Sequence, residues 1–366
     1  MQTASATRRK RGLAFLLLLI AAETFSSNLC LAQVAQPTAS KRDPLVTGDF
    51  QWRVGPPLLE VDQDRLPATE YEWIAVKDPS FVRYEDRWHL FCTLRKNKDG
   101  DGRIRIGYLS FDDWNDARNA DWAVLELTPN YHGAPQIFYF EPQQKWYLIY
   151  QAADDSRGLK YGPCYSTNDD ITNPSGWTLP EPLYVVPEGK NAGLDFWVIC
   201  DDDKAHLFFT SLDGHMWRAE TSLEDFPNKG WSDPVVALKA DIYEASHTYK
   251  LKGREQYFTI VEAQADRRRY FKGFITDRLD GEWKPLAASR EKPLVSPGNV
   301  VNQNDSWATS YSHGEFFRTG FDQQLEIDPD NLKLLFQGAD DKEYRGNNYG
   351  QIPWRLGILT AMPSGD

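Results

Sequence analysis

A chain of 366 residues has room for one large domain or two ordinary ones. Its 41% hydrophobic and 13% aromatic content supplies a core and excludes a disordered protein. A net charge of −12 disfavours nucleic acid and anionic membranes as partners and suits a neutral one.

Taken in order, residues 1–32 read as an export signal, with Arg8, Arg9, Lys10 and Arg11 as a basic head. The apolar run from Leu13 to Ala22 is too short to span a bilayer as a mature helix, and Cys30-Leu31-Ala32 offers a cleavage site before Gln33. The expected location is therefore secreted or periplasmic. Residues 33–48, rich in Pro, Ser, Thr and charge, read as a disordered linker. Residues 49–362 read as one domain. Three cysteines fall beyond the signal: Cys92, Cys164 and Cys200. An odd count excludes a full disulfide framework. One bridge, Cys164–Cys200, stands against buried thiols.

The domain repeats one pattern. Lys77-Asp78-Pro79-Ser80 heads an apolar strand, Phe81 to Tyr84. A charged turn, Glu85-Asp86-Arg87, leads to an aromatic return strand, Trp88 to Cys92. Arg103 to Ser110 alternates polar and apolar residues, as a half-buried third strand does. A second unit opens at Ala134-Pro135-Gln136 and returns through Trp146 to Tyr150. A third opens at Leu194-Asp195 and returns through Ala205 to Phe209, and a fourth opens at Glu244-Ala245-Ser246 and returns through Gln256 to Ile260. A fifth, less regular unit holds Ser312 to Arg318 and Lys333 to Gln337. Heads at 78, 134, 195 and 244 recur every 50–60 residues or so, the length of a four-stranded blade with its loops. The fold expected is all-β, a five-bladed β-propeller. Its first strands line a central channel and bring the unit heads together at one end. Short helices are expected at Asp112 to Asn119 and at Ser222 to Phe226.

Three heads carry carboxylates: Asp78, Asp195 and Glu244. Two carboxylates across a glycosidic bond are the minimum for hydrolysing it, one to protonate the leaving oxygen and one to handle water or the sugar carbon. A third can raise the acid's pKa by like-charge repulsion. Any one of them alone is as readily a strand-end cap.

Several stretches together resemble glycoside hydrolase family 62. They are Lys77 to Ser80, Ala134 to Phe140 with Trp146 to Gln151, Asp195 to Asp202, Glu244 to Ser246, Ser312-His313-Gly314-Glu315 and Pro353 to Gly357. The resemblance runs from about Trp52 to Thr360. It implies an exported α-L-arabinofuranosidase that removes arabinofuranosyl side chains from arabinoxylan, with arabinan as a second polymer, with inversion. It casts Asp78 as general base, Glu244 as general acid and Asp195 as the acid that tunes Glu244. It places Lys77, Gln136, Tyr349 and Arg355 against the sugar, and His313 beside a channel cation, often calcium. A monomer is expected. The alternatives are a family 43-like β-xylosidase or arabinanase, and a propeller that binds polysaccharide without cutting it. Three features depart from the family pattern: basic Arg267-Arg268-Arg269, Trp217 in place of a tyrosine, and the polar segment Asp340 to Asn348.

Overall fold

The computed structural model describes residues 43–100, 102–302 and 307–363. The export-signal segment, Cys30 and most of the expected linker lie outside them. Five largely antiparallel sheets form the blades of a β-propeller. Blade I comprises Trp73–Tyr84, Arg87–Lys96, Ile104–Phe111 and Ala123–Val124. Blade II comprises His132–Phe140, Lys145–Asp154, Leu159–Asn168 and Glu181–Pro182. Blade III comprises Leu194–Cys200, Lys204–Thr210, His215–Ser222 and Val235–Lys239. Blade IV comprises Glu244–Leu251, Tyr257–Ala265, Arg268–Thr276 and Lys284–Ala287, with Glu326–Ile327 added beside its first strand.

Blade V closes the ring. Its strands Ser310–Phe316, Lys333–Ala339 and Arg355–Ala361 are followed outward by Trp52–Val54 and Val300–Asn302. Trp52 pairs antiparallel with Ala361 and parallel with Val300, so the start of the domain is a strand of its last blade. The irregular fifth unit of the sequence thus reflects a blade assembled from distant segments.

The innermost strands of neighbouring blades do not form ladders with one another, so many of their inward N–H and C=O groups need partners from side chains. Ser80 Oγ accepts from Ile137 N–H (3.0 Å), Thr93 Oγ1 from Ala134 N–H (2.8 Å) and Gln337 Oε1 from Asp78 N–H (2.8 Å). Trp197 donates its indole N–H to Thr248 O at 2.9 Å and stacks on His247 at 4.1 Å. Gln136, expected at the sugar, is instead one of these ties. Its amide both donates to Val198 O and accepts from Val198 N–H, each at 2.7 Å.

Two expectations need correction, and one open alternative is resolved. Residues 43–48 are part of the folded domain: Pro44–Thr47 is a helical turn capped by Asp43, Leu45 is buried, and Asp43 pairs with Arg254. Cys164 and Cys200 are free, buried thiols, as is Cys92. Ser222 to Phe226 is a turn at the end of a strand, whereas Trp114–Asn119 is a short 3-10 helix. An unforeseen helix, Asp341–Gly346, begins with a capping box in which Asp340 and Glu343 each accept from the other's backbone N–H.

Candidate active site

Every inner strand carries a bulge near the same end of the channel. Pairing slips between Lys77 and Ser80, Gly133 and Gln136, Leu194 and Trp197, Glu244 and Ser246, and Ser312 and Gly314. At each slip one non-glycine residue has positive φ: Asp78 (47°), Ala134 (51°), Asp195 (54°), Ala245 (51°) and His313 (26°). A bulge re-aims the side chains at its corner, and strained backbone of this kind collects at functional sites. Pro79 sits inside the slip of blade I, where no ladder N–H is needed. Asp78, Asp195 and His313 thus occupy equivalent corners of three blades. Glu244 stands one residue earlier, beside the corner residue Ala245, and so is not quite at the same repeat position as the two aspartates.

The corners converge. His313 Nδ1 lies 3.4 Å from Asp78 Oδ1 and 3.8 Å from Asp195 Oδ1. Asp195 Oδ2 accepts from Ala245 N–H at 3.0 Å, which ties this acid to the backbone that carries Glu244. Lys77 Nζ is 3.7 Å from Asp78 Oδ1 and donates to the Tyr349 hydroxyl at 3.2 Å. Tyr349 has 46% of its surface exposed, so its ring forms part of the rim while its hydroxyl reaches inward. Glu244 shows more side chain to solvent than the other two acids, 13% against 10% for Asp78 and 6% for Asp195.

The three carboxyls are held in different proton states. Burial would raise Asp78, but Lys77, then His313 and a hydrogen bond from Thr93, outweigh it and hold it below its ordinary value. Burial pushes Glu244 up to about 7, reinforced by Glu262 and opposed by Arg269 and Lys77. Asp195 is raised well above the carboxylate range by burial and by the charges of Glu244 and Asp78. Lys77 stays cationic because these acids overcome the penalty of its burial. At neutral pH the mouth therefore presents one ionised carboxylate as a base and a second carboxyl able to give a proton.

Arg355 does not reach these acids; it pairs with Glu343 of the 341–346 helix and lies 5.6 Å from the Trp307 ring. Calcium takes six to eight oxygen ligands. The surroundings of His313 supply an imidazole kept neutral by burial, and no cluster of three or more His, Cys, Asp or Glu among the described residues is placed to hold a metal. His313 offers a nitrogen where calcium takes oxygen, and no step below passes through a metal.

Sequence reasoning missed four members of the site. Gln151 accepts from Asp195 N–H at 3.2 Å and donates to the Tyr131 hydroxyl at 2.6 Å. Arg269, one of the three basic residues noted as unusual, is buried and donates from Nη1 to Glu244 Oε1 at 3.0 Å and also to Glu262. The adjacent Arg268 pairs with Asp341 of the polar segment, another of those departures. The two anomalies are thus partners. Trp217, the third, donates to Ser211 Oγ at 2.8 Å and lines a cavity of about 410 Å³ with Ala192, close in sequence to Asp195.

A five-bladed propeller that gathers an ionised base and a protonated acid at its mouth is a scaffold of glycoside hydrolases. The chain belongs to glycosyl hydrolase family 62, whose model matches residues 61–360. It is 38% identical over 295 residues to alpha-L-arabinofuranosidase C of Cellvibrio japonicus, covering 78% of this chain. The chain spans 44% of that relative's length. The catalytic domain of a Coprinopsis cinerea family 62 α-L-arabinofuranosidase superposes with a TM-score of 0.78 at 35% identity, covering 87% of this chain and 99% of that one. A family 62 hydrolase in complex with xylotriose gives 0.76 at 34% identity, covering 86% and 98%.

Proposed function

We propose that the protein is an exported α-L-arabinofuranosidase that removes arabinofuranosyl side chains from arabinoxylan with inversion of configuration. The observation that carries this reading is the gathering of Asp78, Asp195 and Glu244 at one channel mouth, where Lys77 favours the ionised form of Asp78 and burial favours the protonated form of Glu244. Asp78 takes a proton from water, and the water oxygen bonds to the anomeric carbon from the face opposite the leaving group. The bond from that carbon to the xylan oxygen breaks as Glu244 gives its proton to the oxygen. Arabinose leaves with inverted configuration, and the acid and base exchange protons with solvent for the next turnover. An inverting site keeps its two carboxyl groups about 6.5–9.5 Å apart to admit the water.

Asp195 accepts from Ala245 N–H and so holds the bulge beside Glu244. Lys77 and the Tyr349 hydroxyl offer donors to sugar hydroxyls. The acidic chain suits an uncharged polymer. Xylan as backbone is supported by the similarity to a family 62 hydrolase in complex with xylotriose. Export is supported by the basic and apolar run before Gln33.

A digest of wheat arabinoxylan and of 4-nitrophenyl α-L-arabinofuranoside tests the reading. Free arabinose is expected, and proton NMR should show the β-anomer first. Xylose or arabino-oligosaccharides as products, binding without product, or the retained anomer first would each overturn it.

A further inference from the structure

Behind the acid lies a buried pair that the mechanism above does not use. Glu262 and Arg269 are diagonal neighbours on adjacent strands of blade IV, and both are almost without solvent contact. Arg269 Nη1 donates to Glu262 Oε1 and to Glu244 Oε1, so one nitrogen serves two carboxylates. The rest of the guanidinium is fixed. Its Nε donates to the Tyr344 hydroxyl at 2.7 Å, and the plane lies 3.7 Å from the centre of the Tyr243 ring. The other oxygen of Glu262 accepts from Ser312 Oγ at 2.7 Å and from His313 N–H at 2.9 Å. Ser312 in turn accepts from Gln337 Nε2 at 3.0 Å, and Gln337 accepts from Asp78 N–H. A continuous set of hydrogen bonds therefore runs behind the sugar site, from the backbone of the base through Glu262 to the side chain of the acid.

We propose that Glu262 is a positioning residue for the proton donor. It holds Arg269 so that its Nη1 is divided between two carboxylates and Glu244 receives only part of the positive charge. A lone arginine paired with a carboxylate favours its ionised form and would disarm a general acid. An unopposed like charge would leave that acid too reluctant to give up its proton. The divided guanidinium sits between these limits, and by occupying Oε1 it leaves Oε2 to carry the proton towards the sugar. The groups that face Glu244 are Glu262 and Arg269 from blade IV, Lys77 and Asp78 from blade I, Asp195 from blade III and the Tyr349 hydroxyl. His313 of blade V faces the two aspartates. Glu262 stands first among the charges that oppose ionisation of Glu244, and Arg269 first among those that favour it.

The inference rests on the proposed glycosidase activity, and one experiment separates the two. The kcat/KM of the full chain on 4-nitrophenyl α-L-arabinofuranoside is followed from pH 3 to 9 for the parent, Glu262→Gln and Arg269→Gln. With Glu262 uncharged, Arg269 serves Glu244 alone, and the alkaline limb should move down by about one pH unit. With Arg269 removed, the limb should move up. A substitution that merely loosens the fold lowers the plateau and leaves the limb in place. If Glu262→Gln does not fold, the direction of the Arg269→Gln limb decides. An unmoved alkaline limb in whichever variant folds, or a limb moved against its expected direction, overturns the role of Glu262. No arabinose from the parent overturns the activity itself.

Discussion

The channel holds buried charge at two depths, and the two clusters are built differently. At the mouth, Asp78, Asp195 and Glu244 crowd three carboxyls around Lys77, His313 and a shared arginine. Three residues further along the inner strands of blades I and II, Arg318 donates to Phe81 O (2.5 Å) and Ile137 O (2.9 Å) and lies 2.7 Å from Glu315. Glu315 also accepts from Phe81 N–H at 3.3 Å. That contact between Arg318 and Glu315 is a charge pair rather than an aligned hydrogen bond. Burial raises both Glu244 and Glu315 to about 7, so a displaced proton affinity alone does not mark chemistry. What separates them is stoichiometry and access. The deep pair matches one acid with one cation and reaches across blades to backbone carbonyls. The mouth has more acids than cations and opens to solvent beside the exposed Tyr349 ring.

Four changes test that contrast, in order of expected size. Asp78→Asn and Glu244→Gln should each lower turnover on arabinoxylan by roughly 10²–10⁴-fold while the thermal transition stays within a few degrees. Loss of folding without selective loss of turnover would make the mouth as structural as the deep pair. Arg318→Met strands Glu315 and should lower stability by about 3–5 kcal/mol in a denaturant titration, with KM unchanged. A stable Arg318→Met protein with altered KM would move the deep pair into the site. Gln136→Ala unties both backbone groups of Val198 and should cost about 1–3 kcal/mol, again with KM unchanged; a raised KM at full stability would return Gln136 to the sugar. Last, kcat/KM should fall by about tenfold per pH unit above 7 as Glu244 loses its proton, and hold at weakly acid pH, where Asp78 is still ionised. A profile flat to pH 9 would remove Glu244 as the donor.

The ring could be read from the chain because its units repeat, and the acids because each falls at or beside a unit head. Each blade spends one apolar strand, one turn and one aromatic return strand, and the polar head stands out against that period. The fifth corner, His313, lay in the least regular unit because blade V takes strands from residues 52–54, 300–302 and 310–361. The support of the acid was hidden for a different reason. Glu262 and Arg269 sit in ordinary strand sequence, and only pairing in register across the 257–276 hairpin, one blade around from His313, brings them behind Glu244. One signal was available: Asp340 and Glu343 have the spacing of a capping box. That helix, expected, would have set Asp341 and Tyr344 opposite Arg268 and Arg269. Gln136 misled because a polar residue just past a unit head is as useful for tying blades as for touching a ligand.

The seam formed by Trp52 between residues 300–302 and 355–361 has a consequence for synthesis. Asp78, Asp195 and Glu244 have all been translated well before residue 361, yet the circle that makes them neighbours cannot shut until the last strand meets the first. A nascent chain, or one that has lost residues 52–54 or 355–361, carries every reactive group without the closed ring that gathers them.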